Sequence, residues 1–336
     1  CSRWGQFIIE IFEGNKDLIK YVWKALGYSI TGSVNEQAAF FCFGSGSNGK
    51  SVLFKTIREI LGDYAYDAPA NLLKRNFQTN NSNDEASTEF KRFLVSSAAL
   101  STSKLNEERL KKWTGGDRVT ARYLYSEFFS FDPTVKPWLF INHKPQVEDD
   151  SYAFWRRVRL ITFNRQFVGD DADKNLYEKL KKEGKGILAW LVRGCLLWQK
   201  EGLEPAPEIV GKATETYRAE NDELFDFITE AFVDDPNASV KASDAYREYI
   251  AWAVKQGLKA QDILGNKNFA TKMGDRYKKE HRKTGNYYIG EGWNPNFVAG
   301  EGKYSDFGFT ENSNTREEYL EKMRHIHEFP PLSPER

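Results

Sequence analysis

The octet Gly44-Ser45-Gly46-Ser47-Asn48-Gly49-Lys50-Ser51 has the residue types and spacing of a phosphate cradle. Strand-like FFCF precedes it, and VLF with a helical pattern follows. Gly44, Gly46 and Gly49 permit a tight loop whose backbone N–H groups all turn inward on phosphate oxygens. A helix beginning near Lys50 adds its positive end. In this arrangement Lys50 reaches the β- and γ-phosphates, the Ser51 hydroxyl sits on Mg²⁺, and Val52 completes the binding stretch. The expected ligands are therefore the phosphates of a nucleotide and Mg²⁺.

Two further runs combine cations with aromatic rings. Around TGGD and the segment after it, Lys111, Lys112, Arg118 and Arg122 stand among Tyr123 and Tyr125. Cations take phosphates and rings stack on bases, so the run suits a loop that grips a nucleic-acid strand. The second run is KNFATKMGDRYKKEHRKTG. There Lys272, Lys278, Lys279, Arg282 and Lys283 could form a patch for duplex. The four histidines offer no convincing ligand spacing. Cys1, Cys42 and Cys195 are far apart with no C-x-x-C pair, which argues against zinc and fits free thiols in a reducing, cytoplasmic setting.

These residues need a frame. Apolar positions recur at helical spacing over 4–28, from Phe7 to Leu26, with an expected stop at Gly27. AAFFCF reads as the strand before the loop, and a helix runs on to about Leu61. The polar stretch 76–88 is expected to be a mobile loop. RFLVSSAAL (92–100) reads as a buried strand and LNEERLKKW (105–113) as a short helix stopped by Thr114-Gly115-Gly116. RVTARYLYSEFFSF (118–131) alternates like a hairpin. PWLFIN (137–142) and RRVRLITF (156–163) supply two more apolar runs. Strands alternating with helices indicate an α/β core with a mostly parallel sheet. Helical periodicity dominates 170–232, where GILAWLVRGCLLW is apolar nearly all round and reads as buried. DDPN (234–237) marks a boundary, and two helices with an aromatic hairpin at GNYYIGEGW outline a winged-helix-like module. The expected divisions are an N-terminal helical segment (1–35), a P-loop core (36–168), a helical extension (169–233), the winged-helix-like module (238–300) and a polar tail (301–336).

The 336 residues are 40% hydrophobic and 15% aromatic, enough for a sizeable core. Lys+Arg and Asp+Glu balance at 48 each, so any basic surface must be local. No apolar run has membrane-spanning length and no signal peptide is visible. A first residue of cysteine, with Met273 and Met323 the only methionines, suggests a piece of something longer.

Taken together, ALGYSITGSVNEQAAFFCFGSGSNGKS, LNEERLKKWTGGDRVTARYLYSEFFSFDPTVKPWLFINHKP and FWRRVRLITF resemble the superfamily 3 helicases, specifically the primase-helicases of poxviruses, phages and mobile plasmid-like elements. The likeness spans about residues 5–230, and more weakly the winged-helix-like region. It implies an AAA+-like P-loop ATPase fold and an ATP-dependent DNA helicase motor of a phage or mobile-element replication protein. It also implies a hexameric or similar ring on single-stranded DNA, and an upstream primase-polymerase domain. Under the same resemblance Asn142 orients the attacking water or senses the γ-phosphate. Arg156 or Arg157 is the finger reaching a neighbour's γ-phosphate, and the 111–125 segment lines the pore.

One departure stands out. In that family a carboxylate ends the second strand, where this chain has Ala98 in KRFLVSSAALSTSKLNE. Alanine neither polarises a water nor helps hold a metal. Three accounts stay open: deliberate removal, natural loss, or substitution by Glu107, Glu108, Asp117 or a residue of 76–89. A nucleotide-gated DNA-binding and assembly module with little hydrolysis is the alternative to the motor. A small-molecule kinase lacks any lid or acceptor signature.

Overall fold

The computed structural model describes residues 1–75, 82–97, 104–149, 151–259 and 262–298. The chain divides into two compact units, Cys1–Asn221 and Asp222–Arg336.

The first unit opens with α1 (Ser2–Ile11) and α2 (Lys16–Ser29). The helical pattern over 4–28 is thus two helices: Glu13 and Gly14 take positive φ, and the Asn15 side chain caps α2 by accepting from Leu18 N–H at 3.0 Å. Then follow β1 (Ala39–Phe43), α3 (Lys50–Leu61), β2 (Ala65–Asp67), α4 (Ser82–Ala86) and β3 (Phe93–Ser97). Next come α5 (Glu107–Gly115), a hairpin of β4 (Val119–Ala121) with β5 (Phe129–Phe131), β6 (Lys136–Ile141), α6 (Tyr152–Trp155) and β7 (Val158–Thr162). The unit ends with α7 (Leu176–Lys182), α8 (Gly184–Glu201) and α9 (Glu208–Asn221). Part of the stretch read as a loop at 76–88 is therefore helical in α4, and 76–81 lies outside the described residues.

Five strands form one sheet in the order β2-β3-β6-β1-β7, every pair parallel. Both faces are covered, which is why its strands read as near-continuous apolar runs. Phe40, Cys42, Phe93, Val95, Trp138 and Ile161 join one core with α1, α2, α3 and α8. Their neighbours Ala39, Phe41, Leu94, Leu139, Val158 and Leu160 join another with Leu110, Trp113, Phe154 and Tyr217. The alternation is the period of two expected of a strand.

Gly27 does not stop α2. It lies where α2 crosses α8 with backbones in contact: a Cβ at Gly27 would stand 2.1 Å from the Cys195 nitrogen, and one at Gly194 2.4 Å from the Trp23 carbonyl oxygen. The Trp23 and Trp190 rings stack beside the crossing at 5.6 Å, and Trp23 Nε1 donates to the Trp190 carbonyl at 2.7 Å. Helix α8 is not buried all round. Leu188, Val192 and Leu196, at i, i+4, i+8, are exposed on its outer face, because only its inner stripe of Ile187, Leu191 and Gly194 meets the core.

Lys136 opens β6 from inside the protein, 1% exposed. Its ammonium donates to the Thr31 and Thr134 carbonyls, the latter at 2.8 Å, and lies 5.2 Å from the Tyr28 ring. Arg92 Nη1 donates to the Ile30 carbonyl at 2.9 Å. Both cations thus answer the negative C-terminal end of α2. Burial, with Arg92 alongside, pushes the Lys136 amine down to about 7.

The second unit comprises α10 (Phe225–Ala231), β8 (Phe232–Lys241), α11 (Ala242–Lys255), α12 (Asn266–Arg276), β9 (Lys279–Arg282) and β10 (Gly285–Trp293). An antiparallel sheet in the order β8-β10-β9 backs the helices around Phe227, Tyr249, Trp252, Phe269 and Tyr288. This helix–strand–helix–helix–hairpin order is that of a winged helix. The expected break at DDPN falls inside β8, so helix α10 and the start of β8 belong to this unit. Pro236 is accommodated because pairing skips from Ser239↔Ile289 to Asp234↔Glu291, an irregularity where the ladder asks no N–H of it. Among the described residues no helix is long and apolar enough to cross a membrane.

Candidate functional site

The loop between β1 and α3 is shaped by backbone constraints that its sequence meets. Gly46, Ser47 and Gly49 have φ of 105°, 51° and 82°. Gly49 needs glycine twice over: the φ is left-handed, and a Cβ would lie 2.7 Å from Ile11 Cγ2. At Gly44 a Cβ would stand 2.1 Å from Asn48 Nδ2 and 2.9 Å from Lys50 Nζ, filling the space inside the loop. Asn48, buried, donates to the Phe163 carbonyl at 3.3 Å. Phe167 N–H donates to the Ser47 carbonyl at 2.7 Å, and Gln166 Nε2 to Ser45 Oγ at 2.7 Å. The segment after β7 therefore braces the loop from outside. Sequence reasoning missed it, since only the pairing of β7 with β1 brings 163–167 there.

Lys50 is 5% exposed, and its ammonium donates to the Gly44 carbonyl at 2.6 Å. No carboxylate pairs with it among the described residues. Burial pushes its amine below the ordinary lysine value, with the Cys42 thiol beneath it pulling the other way. A buried cation that faces a carbonyl and has no carboxylate beside it is suited to an anionic partner. Ser51 is exposed in the first turn of α3. The donor set thus fits a polyphosphate with its metal.

Asn142 lies beside this loop. It follows Ile141, the residue paired with Phe43, and the Ile141 carbonyl accepts from Gly44 N–H at 3.2 Å. Asn142 is exposed there. Lys144, two residues on, lies 5.4 Å from the Phe43 ring and binds Glu220 at 2.7 Å. Its place at the same edge was not assigned from the sequence, although HKP was in view.

Arg156 and Arg157 occupy the other edge of the sheet. The Arg157 carbonyl accepts from Ala39 N–H at 2.8 Å, where β1 begins, whereas the phosphate loop follows the end of β1. Five strand residues, about 16 Å, separate the two. Arg157 is also held in place, with Nε donating to Thr114 Oγ1 at 3.1 Å and Nη1 to the Ala153 carbonyl. Arg156 is exposed. Neither arginine is placed to serve the loop of its own chain.

Ala98 lies outside the described residues. Of the acids weighed in its stead, Glu107 is buried and accepts from Glu148 N–H at 2.8 Å, so one carboxylate oxygen caps backbone. Glu85 lies 3.4 Å from Arg109. Asp117 lies beside Gly115 near Arg157, toward the edge far from the loop.

The β4–β5 hairpin presents Leu124, Tyr125 and Phe128 to solvent, and Tyr125 (φ 61°) is fully exposed. Arg122 stacks on Phe128 at 4.7 Å, and Arg118 is exposed, 3.9 Å from Asp132. Beside the hairpin a cleft of about 520 Å³ is lined by Lys112, Arg109, Arg122, Glu85 and Glu108 among others. Two expected contacts are occupied within the protein. Lys111 binds Asp149 at 2.7 Å, and Tyr123 stacks on Phe129 at 5.7 Å while its hydroxyl donates to the Ala86 carbonyl at 3.2 Å. In the second unit Lys278, Lys279, Arg282 and Lys283 are exposed on the wing, whereas Lys272 lies 3.4 Å from Glu223.

Residues 42–157 match the model of a family of unknown function (DUF5906), and residues 219–324 match a family described as poxvirus D5 protein-like. A candidate helicase (L207/L206) of Acanthamoeba polyphaga mimivirus is 29% identical over 71% of this chain and 27% of its own length. A candidate helicase (022R) of Frog virus 3 is 26% identical over 67% of this chain and 25% of its own. A candidate primase (C962R) of African swine fever virus is 26% identical over 68% and 26%. The chain spans about a quarter of the length of these relatives. In fold it is similar to the C-terminal region of NrS-1, with a TM-score of 0.55 at 15% identity over 81% of this chain and 61% of that one. A glycine-shaped loop around a buried lysine at the end of a parallel strand, a D5-like match over 219–324, and relatives named as candidate helicases and a candidate primase point the same way: the chain is similar to the D5-like superfamily 3 helicases.

Proposed function

We propose that the first unit binds ATP with Mg²⁺ through Gly44–Val52 and hydrolyses it to drive movement along single-stranded DNA, in a ring whose nucleotide sites are shared by neighbouring chains. The observation that carries this reading is Lys50, a buried ammonium without counter-charge among the described residues, inside a glycine-shaped loop. Bound ATP would supply the missing negative charge, with Ser51 and the metal on its outer phosphates. Asn142 stands at the loop to orient a water.

The far edge of the sheet supports the shared site. Arg156 and Arg157 are about 16 Å along the strand from their own loop, so either serves as a finger only for a neighbour. A trans arginine is worth about 10³- to 10⁵-fold in rate. The exposed hairpin, with Arg118, Arg122, Tyr125 and Phe128, combines cations and rings as a strand-gripping surface does. An upstream primase-polymerase domain would complete the replication protein, as the name of the African swine fever virus relative suggests.

The test is phosphate release with and without a single-stranded oligonucleotide. Turnover stimulated by the strand and abolished in Lys50→Ala is expected. Equal ATP affinity of Lys50→Ala and parent by calorimetry would sink the site.

A further inference from the structure

We propose that the second unit is a duplex-DNA reader that lays α12 in the major groove and its β9–β10 wing on the flanking backbone, independently of the nucleotide site. Charge is segregated within this unit. Seven of the eleven Lys and Arg side chains of residues 222–298 fall in the 17-residue run 267–283, with only two of its twelve carboxylates. Lys272 and Arg276 are ion-paired with Glu223 and Asp222; the other five, Lys267, Lys278, Lys279, Arg282 and Lys283, are exposed, and the rest of the unit is acidic, so this face attracts a polyanion.

That face is continuous. Lys279 opens the wing strand yet lies across α12, its ammonium 3.4 Å from the Ala270 carbonyl and 3.7 Å from where a Cβ on Gly274 would be. Arg282 lies over the Tyr287 ring at 4.7 Å and donates to Ser239 Oγ at 3.0 Å and to the Glu280 carboxylate at 2.9 Å, so its guanidinium is held on the wing.

The shape selects duplex over single strand. Helix α12 turns Phe269 and Met273 into the core and exposes Lys267, Asn268, Thr271, Gly274 and Asp275. These positions, at i, i+1, i+4, i+7 and i+8, form one convex polar stripe. Eleven residues make about 16 Å of helix, and a B-form major groove about 12 Å wide admits such a helix. Asn268 has the amide that pairs with adenine, and the Asp275 carboxylate can accept from cytosine. Single-strand binding favours aromatic platforms; here Phe269 and Tyr288 are buried, Tyr277 is half-buried within the core, and the one ring exposed on α12 or β9 is the His281 imidazole, held to Asn286 Oδ1 at 2.9 Å.

Fluorescence anisotropy on the full chain without nucleotide tests this, using a 20-base-pair DNA duplex, one of its strands alone, and the same sequence as duplex RNA. Duplex DNA should bind with a slope of log affinity on log salt of about −4.5 for about five phosphate contacts. A-form RNA should bind more weakly, because its major groove is too narrow for α12. Thr271→Glu, at an exposed site where glutamate suits a helix better than threonine, should weaken duplex binding at least tenfold and leave single-strand binding unchanged. Lys278→Ala with Lys283→Ala should lower the slope by about two. Tighter binding of duplex RNA than duplex DNA, a loss of single-strand binding in Thr271→Glu as large as its loss of duplex binding, or equal duplex affinity in both variants and parent, overturns the assignment.

Discussion

Lys136→Met removes a buried ammonium, and its consequence can be read as a slope against pH. The native amine titrates at about 7 against an ordinary value of 10.5. At about 1.36 kcal/mol per decade, the charged form is disfavoured in the fold on the order of 4–5 kcal/mol. Methionine has similar volume and no charge, but it leaves the Thr31 and Thr134 carbonyls without this donor, at about 1–3 kcal/mol each. At neutral pH the two effects offset, so the absolute stability change is small in either direction. The pH dependence does not cancel. The native amine is lowered, so between about pH 7 and 10 the unfolded chain holds a proton that the native protein has shed, and stability rises with pH. Lys136 thus contributes about 1.4 kcal/mol per pH unit in that window and nothing below about pH 6, where both states are charged. Between pH 7.5 and 9.5 the parent should gain about 2.5 kcal/mol relative to the variant. Cys42 and the buried tyrosines titrate in both proteins and leave the difference. Chemical denaturation of the first unit at several pH values measures it. Parallel curves for parent and variant would mean that Lys136 stays charged in the fold, and would refute the reasoning.

Other outcomes bear on the proposed motor. Arg156→Ala with Arg157→Ala should leave ATP binding near the parent's and lower turnover by about 10³-fold or more; mixing this protein with Lys50→Ala should restore part of it, and no restoration argues against a shared site. Arg118→Ala with Arg122→Ala should reduce the salt slope of single-strand binding by up to about two, seen by anisotropy; an unchanged slope moves the grip off the hairpin. Ala98→Glu should raise turnover on the order of 10²-fold with ATP affinity unchanged, measured as steady-state phosphate release. A variant as inert as Lys50→Ala, yet still binding ATP, would favour the nucleotide-gated module.

Much of the first unit was legible because local signals and global fold agree. Gly46 and Gly49 announce left-handed backbone, and AAFFCF and PWLFIN are apolar without alternation because both sheet faces are covered. The hairpin at 119–131 showed its alternation directly. What stayed hidden depends on partners distant in sequence. Nothing in NRQF says that it braces the phosphate loop, and nothing in KKW says that Lys111 meets Asp149. Pro236 looked like a boundary because a proline within a strand is rare, and the irregular pairing that admits it is set by β10, some fifty residues later. Gly27 looked like a helix stop because helices often end at glycine; its true neighbour is 167 residues away at Gly194.

That crossing has a mechanical consequence. Helices that meet through side chains can slide, because rotamers yield by small steps. Between α2 and α8 bare backbone meets bare backbone, flanked by two stacked indoles, so the contact has no compliant layer to shear. It acts as a fixed node, and residues 16–29 and 184–201 travel as one piece. Displacement within the first unit must then be taken up where no such node exists.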